Sequence, residues 1–461
     1  MRTLFVTSFH VLISRNILST ECFRRLSHDP DLRVVLFVPD YKRAYFETTF
    51  GRPRLTVIGI NPVLGRFERV MRAFALLILD SQAMAIKRRW ELVPERRYIL
   101  FLAKSLAASL IAGRAWAGRL LRWLDRRLGP EEHFRDAFLR FRPDAVLATD
   151  VLNELDVECV RSASRRGVRV VGMVRSWDNL TAKGFLRAVP DILAVHTALI
   201  RDEAVGLHRV PAERIRVTGI PHYDAYLGYR PSRREEFLRS LGLDPKGRLA
   251  LVAPIGDRYI RRNKTDRALL EALAHGRASG ALPPDLQVLV RLPPMDSVAL
   301  DGFHPPEWMK VERPGVAFRP GAVKEAELSA EDDRRLADSL AACDVLVTGP
   351  STMAVDAARA DKPIILVAFE NNGAGYWGSV VPWYDYDHFR PIVSSGGARV
   401  VRTEAELLER LRVYLECPEL DREGRERIVE IECGPLDGRA SERLYHLIAE
   451  ALAHPKPHPK P

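Results

Sequence analysis

The sequence predicts an α/β protein of two doubly wound parallel-sheet domains facing a cleft, with a basic amphipathic helical insertion in the first domain. Three observations predict it. The 461 residues exceed one ordinary core and suit two large domains, at the usual ~150 residues or more per domain. Short apolar runs alternate with helix-period segments, first in one half of the chain and again in the other, which is the pattern of parallel sheets covered by helices. The formal charge of +10 is unevenly placed, because the stretch from Arg66 to Arg127 holds fourteen Lys/Arg against five acids and so carries +9 of it.

In the first half the strand runs are TLFVTS, RVVLFVP, RLTVIGI, AVLAT, VRVVGMV, ILAVH and RIRVTGI, with a helix near Asp156 to Arg165. The opening MRTLFVTSFHVLISRN lacks the charged leader and small-residue cleavage site of a signal peptide, so it reads as a first strand. A polar stretch from Arg230 to Arg248 marks the domain junction. The second series is LALVAPIG, LQVLVRLP, DVLVTG and PIILVAF, with helices at Glu331 to Ala342, after Gly349, at Glu404 to Leu415 and at Ser441 to Leu452. The expected division is 1–229, containing the insertion at 66–127, then 230–435, and a terminal helix with a frayed tail at 436–461.

The composition, 47% hydrophobic and 28% charged, is that of a folded globular chain rather than a disordered one. Five scattered cysteines with no Cys-x-x-Cys pair point to a reducing compartment and away from a structural metal. Within the basic segment, RAFALLIL and YILFLAKSLAASLIAG are broken by Asp80 and Lys104 and fall short of the ~20 apolar residues of a spanning helix. On a helical wheel Arg114, Arg119, Arg122 and Arg126 share one sector, while Trp116, Leu120, Trp123, Leu124 and Leu128 face the other way. Such a helix suits an anionic lipid surface; the alternative is a core-facing helix with a solvated Arg side. Nucleic acid is not an expected partner, since no RNP, helix-turn-helix or finger spacing is present.

Ligands bind open α/β sheets beyond the carboxyl ends of the strands, and four such loops stand out. In DVLVTGPSTMAVDAARADKPIIL a strand ends at Gly349, and Ser351 and Thr352 open a helix whose amides and hydroxyls suit an anion, with Asp356 one turn on, expected to face a ribose or sugar hydroxyl. The other reading of Ser351 is a plain helix cap. The loop Arg175 to Gly184, RSWDNLTAKG, offers Asp178 as general base for an acceptor hydroxyl, with Trp177, Asn179 and Lys183 beside it; an Asx-turn by Asp178 and Asn179 is the alternative. GIPHYD, Gly219 to Asp224, is the third loop. VRLPP is the fourth, where Arg291 has a donor fork for a diphosphate. His10, Arg15 and Asn16, in the loop after the first strand, are expected to face the acceptor. That loop has no GxGxxG, so no dinucleotide cofactor is expected, and no metal pair stands out.

With these residues in view, the chain resembles the GT-B enzymes of surface polysaccharide assembly, closest to the family of CDP-glycerol glycerophosphotransferases and surface-carbohydrate transferases. The likeness rests on GIPHYD, ALVAPIGDRY, Arg291 in VRLPP, LVTGPSTMAVDAARADKPIIL and DGRASER, over about half the chain. It implies two Rossmann-like domains, the second holding the donor's nucleotide diphosphate through Ser351, Thr352 and Arg291. It also implies catalysis without a metal, helix amides and cations neutralising the leaving group. One departure is informative: a His-containing WHG-type motif is replaced here by SWDNLTAKG, which favours sugar over glycerophosphate transfer.

The expected function is a membrane-associated glycosyltransferase, peripheral on the inner face of the cell membrane. It uses a nucleotide-diphosphate donor as co-substrate and a glycan or lipid-linked acceptor. A polyol-phosphate transferase of teichoic-acid type, a UDP-sugar 2-epimerase and a non-catalytic membrane-tethered binding protein are the alternatives.

Overall fold

The computed structural model describes residues 1–61, 63–93, 95–257, 264–318, 325–369 and 375–454. The chain forms two compact units, Met1–Gly228 with Gly434–Pro461, and Tyr229–Cys433. The tail residues 455–461, and Arg258 and Tyr259 of ALVAPIGDRY, lie outside the described residues.

The first unit contains β1 (Arg2–Thr7), β2 (Leu32–Pro39), β3 (Leu55–Ile60), β4 (Ala145–Ala148), β5 (Arg169–Met173), β6 (Ile192–Val195) and β7 (Ile215–Val217). They form one sheet in the order β3-β2-β1-β4-β5-β6-β7, all pairs parallel, with Leu4 opposite both Val34 and Ala145. The central strands read as continuous apolar runs because both faces are covered. Side chains alternate: Leu4 and Val6 join one core with Leu26, Leu36, Leu444 and Ile448, whereas Phe5 joins the other with Phe37, Phe134 and Phe138. The terminal helix Ala440–Ala453 is therefore part of the first unit, its stripe Leu444, Leu447, Ile448 and Ala451 closing one face of the sheet. Each such buried large side chain contributes about 1.5–3 kcal/mol.

The second unit contains β8 (Arg248–Ala253), β9 (Leu286–Arg291), β10 (Met309–Glu312), β11 (Val345–Thr348), β12 (Ile364–Val367) and β13 (Ala398–Val401). Their order is β10-β9-β8-β11-β12-β13, again parallel. The two edge strands, β10 and β13, have no counterpart among the strand runs read from the sequence.

Four helices, Arg66–Ile78, Gln82–Leu92, Tyr98–Ile111 and Ala115–Leu128, occupy the basic stretch between β3 and β4. Met71, Ala75, Ile78, Met84, Ala117, Leu121 and Phe185 form their shared core. A buried ion cluster fixes them: Arg161 donates from Nη1 to both oxygens of Asp125 at 3.2 Å, and Arg187 Nη1 lies 3.3 Å from the same carboxylate. None of these helices alone is long and apolar enough to cross a membrane; the last two are bent by 101° at their break.

The helical wheel needs correcting for Ala115–Leu128. Its packed stripe is Ala117, Gly118, Leu121 and Asp125, small enough that a Cβ on Gly118 would lie 2.6 Å from the Phe185 ring. Arg122 is turned inward, its guanidinium over Phe185 and donating to Leu186 O at 3.0 Å and His208 O at 2.6 Å. The Trp/Leu face is bare, with Trp116 52% and Trp123 56% exposed beside Leu120 and Leu128.

Candidate functional site

In the first unit the strand order reverses between β1 and β4, and the loops leaving the carboxyl ends of β1, β4 and β5 converge there, the place where such sheets bind ligands. Thr7, the last residue of β1, donates its hydroxyl to Asp156 Oδ1, and Asp150 N donates to the same oxygen at 3.2 Å. Asp156 is fully buried next to Asp150, and burial first, then the Asp150 charge, pushes its carboxyl up to about 8. Asp150 in turn accepts from Arg175 Nε at 2.7 Å and from Asn179 Nδ2 at 3.0 Å. This floor locks the Arg175–Gly184 loop at its base.

Above the floor, Lys183 Nζ lies 3.1 Å from Asp178 Oδ2 and donates to Asn179 Oδ1 at 3.1 Å. Asp178 is about one-third exposed, unlike Asn179, which is fully buried. Asn179 was expected to meet the acceptor; its amide is instead spent between Asp150 and Lys183. Trp177 is half-buried, edge-on to His196 and packed against the Val174–Leu193 core.

His10 belongs to the same cluster. Burial, then the charges of Arg175 and Lys183, hold its imidazole well below its ordinary value, so it is neutral near pH 7. Its Nδ1 accepts from Leu12 N at 3.2 Å, which leaves the proton on Nε2 as a donor. Arg15 Nε donates to the buried Asn16 Oδ1 at 3.0 Å within the single π-turn Ser14–Leu18. The charges acting on His10 come from Arg175, Lys183, Asp178 and Lys42.

Two participants come from the basic segment and were not read as site residues. Lys87, on Gln82–Leu92, donates its ammonium to Ala182 O, and burial lowers it to about 8 despite the Asp178 carboxylate nearby. Ser81 Oγ donates to Thr181 O at 2.6 Å. The helices of that segment thus hold the loop that carries Asp178.

In the second unit the strand order reverses between β8 and β11, and the loops after those strands meet. A Cβ on Gly349 would lie 2.2 Å from Ile255 Cγ1, so only glycine permits that approach. The Asp266 carboxylate accepts from Ile255 N at 2.8 Å and Gly256 N at 2.9 Å, fixing the facing loop. Ser351 Oγ accepts from Met353 N at 3.2 Å, which caps the short helix Met353–Arg359 and still leaves its hydroxyl proton to donate. Thr352 is exposed at the same turn. Asp356 is buried and close enough to Cys433 to add to the burial that raises that thiol to about 12, so it points into the unit rather than toward a ribose. Arg291 also departs from expectation: it ends β9, pairs through Nη1 with Glu312 and donates from Nη2 to Asp332 O at 3.0 Å. Two arms of its fork are committed to the fold.

GIPHYD and DGRASER, distant in sequence, form a clasp in the first unit. Asp224 accepts from Ala440 N at 3.1 Å and Ser441 N at 2.6 Å, capping the terminal helix. Arg443 Nε donates to Thr218 O at 2.9 Å, and Gly219 takes φ +80° where a Cβ would stand 3.0 Å from Pro435 O.

The family described as CDP-Glycerol:Poly(glycerophosphate) glycerophosphotransferase matches residues 194–450, more than half of the chain. The chain belongs to this family. It is accordingly a transferase, and its two parallel sheets are those of the GT-B fold. Solved structures share that fold. A UDP-N-acetylglucosamine 2-epimerase from Listeria monocytogenes aligns with TM-score 0.54 at 13% identity, over 97% of this chain and 96% of that one. The S. aureus MnaA–UDP co-structure gives 0.54 at 13% over 98% and 97%, and the glycotransferase of kitacinnamycin 0.53 at 14% over 97% and 98%. Among curated proteins none matches.

Proposed function

We propose that the protein is a glycosyltransferase of surface-polysaccharide or lipid-linked glycan assembly, acting at the inner face of the cell membrane with a nucleotide-diphosphate sugar as donor. The observation that carries this reading is the Arg175–Gly184 loop, whose one partly exposed carboxylate, Asp178, sits beside Lys183 at the switch point of the first sheet. His10 does not serve as base, because its Nδ1 lone pair is engaged by Leu12 N. Asp178 therefore takes the proton of the acceptor hydroxyl as its oxygen bonds to the anomeric carbon. The bond from that carbon to the diphosphate breaks, and the electron pair leaves with the nucleotide. The Ser351 and Thr352 hydroxyls donate to the developing charge. Gly349 keeps the loop close enough for this, while Arg291 and Asp356 shape the unit behind it. His10 Nε2, Lys183 and Lys87 give the acceptor side a cationic, donating wall, which suits an acceptor carrying phosphate. A single displacement inverts the anomeric centre.

Membrane association is supported by the bare Trp116, Leu120, Trp123 and Leu128 face and by the basic residues around it. A second reading, transfer of a polyol phosphate, is favoured by the family match over 194–450. Single-turnover kinetics of Asp178→Asn test the mechanism. The variant should bind nucleotide normally and lose the chemical step by about 10²–10⁴-fold; an unchanged chemical step would return Asp178 to a turn-forming role.

A further inference from the structure

Between the helices Gln82–Leu92 and Tyr98–Ile111 lies an open pocket of about 410 Å³ that none of the proposed chemistry uses. Its polar lining is Asp80, Arg88 and Arg89 with Ser105 and Ser109 on the second helix, and Phe101 adds an apolar surface. Arg88 Nη1 is inaccessible to solvent and has no hydrogen-bond partner among the described residues. Burial lowers the Arg88 guanidinium from its ordinary value while the Asp80 carboxylate nearby opposes that, so a further anion at the accessible part of this side chain stabilises its charge.

The second helix explains what could arrive. Phe101, Ser105, Ala108, Ser109 and Ala112 recur at helical spacing and line the cavity, while Ile99, Leu102, Leu106 and Leu110 form an adjacent stripe. That stripe is bare to solvent, Ile99 being 86% exposed. Small residues open a polar hole next to a long apolar ridge. Two arginines against one aspartate leave the wall one positive charge in excess, matching a single phosphodiester, and Asp80 remains as an acceptor for a headgroup hydroxyl.

We propose that this cavity binds the headgroup of an anionic glycerophospholipid with a polyol head, phosphatidylglycerol in type, whose acyl chains lie along Ile99, Leu102, Leu106 and Leu110. The proposal rests on the membrane reading above and adds a specific lipid site to it.

The test compares full-length protein, Arg88→Gln with Arg89→Gln, and a charge-matched control, Arg119→Gln with Arg126→Gln. Each is sedimented with vesicles of phosphatidylcholine alone or mixed with phosphatidylglycerol. Thermal melts check that each variant is folded. Loss of surface charge alone weakens binding by about fivefold per residue, so the control measures that effect. The site predicts that the Arg88/Arg89 variant loses at least about tenfold more affinity for the mixed vesicles than the control, and keeps its binding to phosphatidylcholine. In a second arm, monomeric dihexanoyl phosphatidylglycerol should bind the wild type calorimetrically and not the Arg88/Arg89 variant, with glycerol 3-phosphate binding far more weakly. Equal losses in the two variants would overturn the site while leaving the membrane reading intact. Glycerol 3-phosphate binding as tightly as the short-chain lipid would overturn the lipid assignment. Wild type that ignores all vesicles yet binds the short-chain lipid would overturn the membrane reading and support the cavity.

Discussion

Asp156 should make the protein less stable as pH rises, and replacing it by asparagine should remove that dependence. Its carboxyl is fully buried and stands at about 8 against an ordinary 3.8. A group whose value is raised by folding contributes stability that is complete below its unfolded value and lost as pH climbs through the folded one. The window therefore runs from about pH 4 to about pH 8. At 1.36 kcal/mol per unit the full effect is about 5–6 kcal/mol, an upper figure, because the first turn of helix Glu154–Arg165, where Asp156 sits, favours a negative charge by up to ~1 kcal/mol. Asparagine imitates the neutral acid and keeps the acceptor used by Thr7 and Asp150 N. Denaturant melts of both proteins from pH 5 to 9 cancel the other titrating groups. The advantage of Asp156→Asn should be small at about pH 5 and grow by up to about 1.4 kcal/mol per unit toward pH 8. A difference that stays flat with pH, or a variant weaker throughout, would show Asp156 to be an ionised partner of the Arg175 cluster and refute the argument.

Other expectations follow from the same contacts. Asp125→Ala leaves Arg161 and Arg187 buried around a lost carboxylate and should cost about 3–5 kcal/mol in a denaturant melt; a loss under about 1 kcal/mol would mean the cluster is wet. Ser351→Ala with Thr352→Ala should weaken nucleotide binding by about 1.5–3 kcal/mol per charge-assisted bond lost, read by calorimetry, and full affinity would remove that turn from the donor site. Trp116→Ser with Trp123→Ser should abolish the part of vesicle binding that high salt does not screen, leaving the melting temperature unchanged because both rings are already exposed. Salt-resistant binding in that variant would place the contact elsewhere.

Much of the fold is written in local pattern. Of the eleven strands that read as apolar runs, nine are buried along nearly their whole length, so their composition reports their position directly, while β3 and β7, the edges of the first sheet, are partly exposed. The two missed strands are the edges of the second sheet: MKVE and ARVV are four residues each and half-exposed, so polarity hides them. The site is legible only in part. Loop position singled out Asp178, Ser351 and Thr352, but nothing in sequence spacing joins Lys87 to a loop beginning at Arg175, since the hydrogen bond to Ala182 O spans 95 residues. Asp150 carried a usable signal, an acid directly after the buried run AVLAT. The wheel of Ala115–Leu128 failed for a different reason. Periodicity separates faces without saying which is inside, and the small residues Ala117 and Gly118 let the helix pack through its least conspicuous side. Arg122 bonds Leu186 O and His208 O, so reversing its charge would unsettle the Asp178 loop, and tests of lipid binding should spare it.

Sugar transfer from a nucleotide diphosphate is tested by offering the purified protein a panel of nucleotide sugars together with CDP-glycerol, with the acceptor product identified by mass. Incorporation of a sugar residue from a nucleotide sugar, dependent on Asp178 and giving no product from CDP-glycerol, is the predicted result. Product formed only from CDP-glycerol, or a nucleotide sugar epimerised with no acceptor consumed, would contradict it.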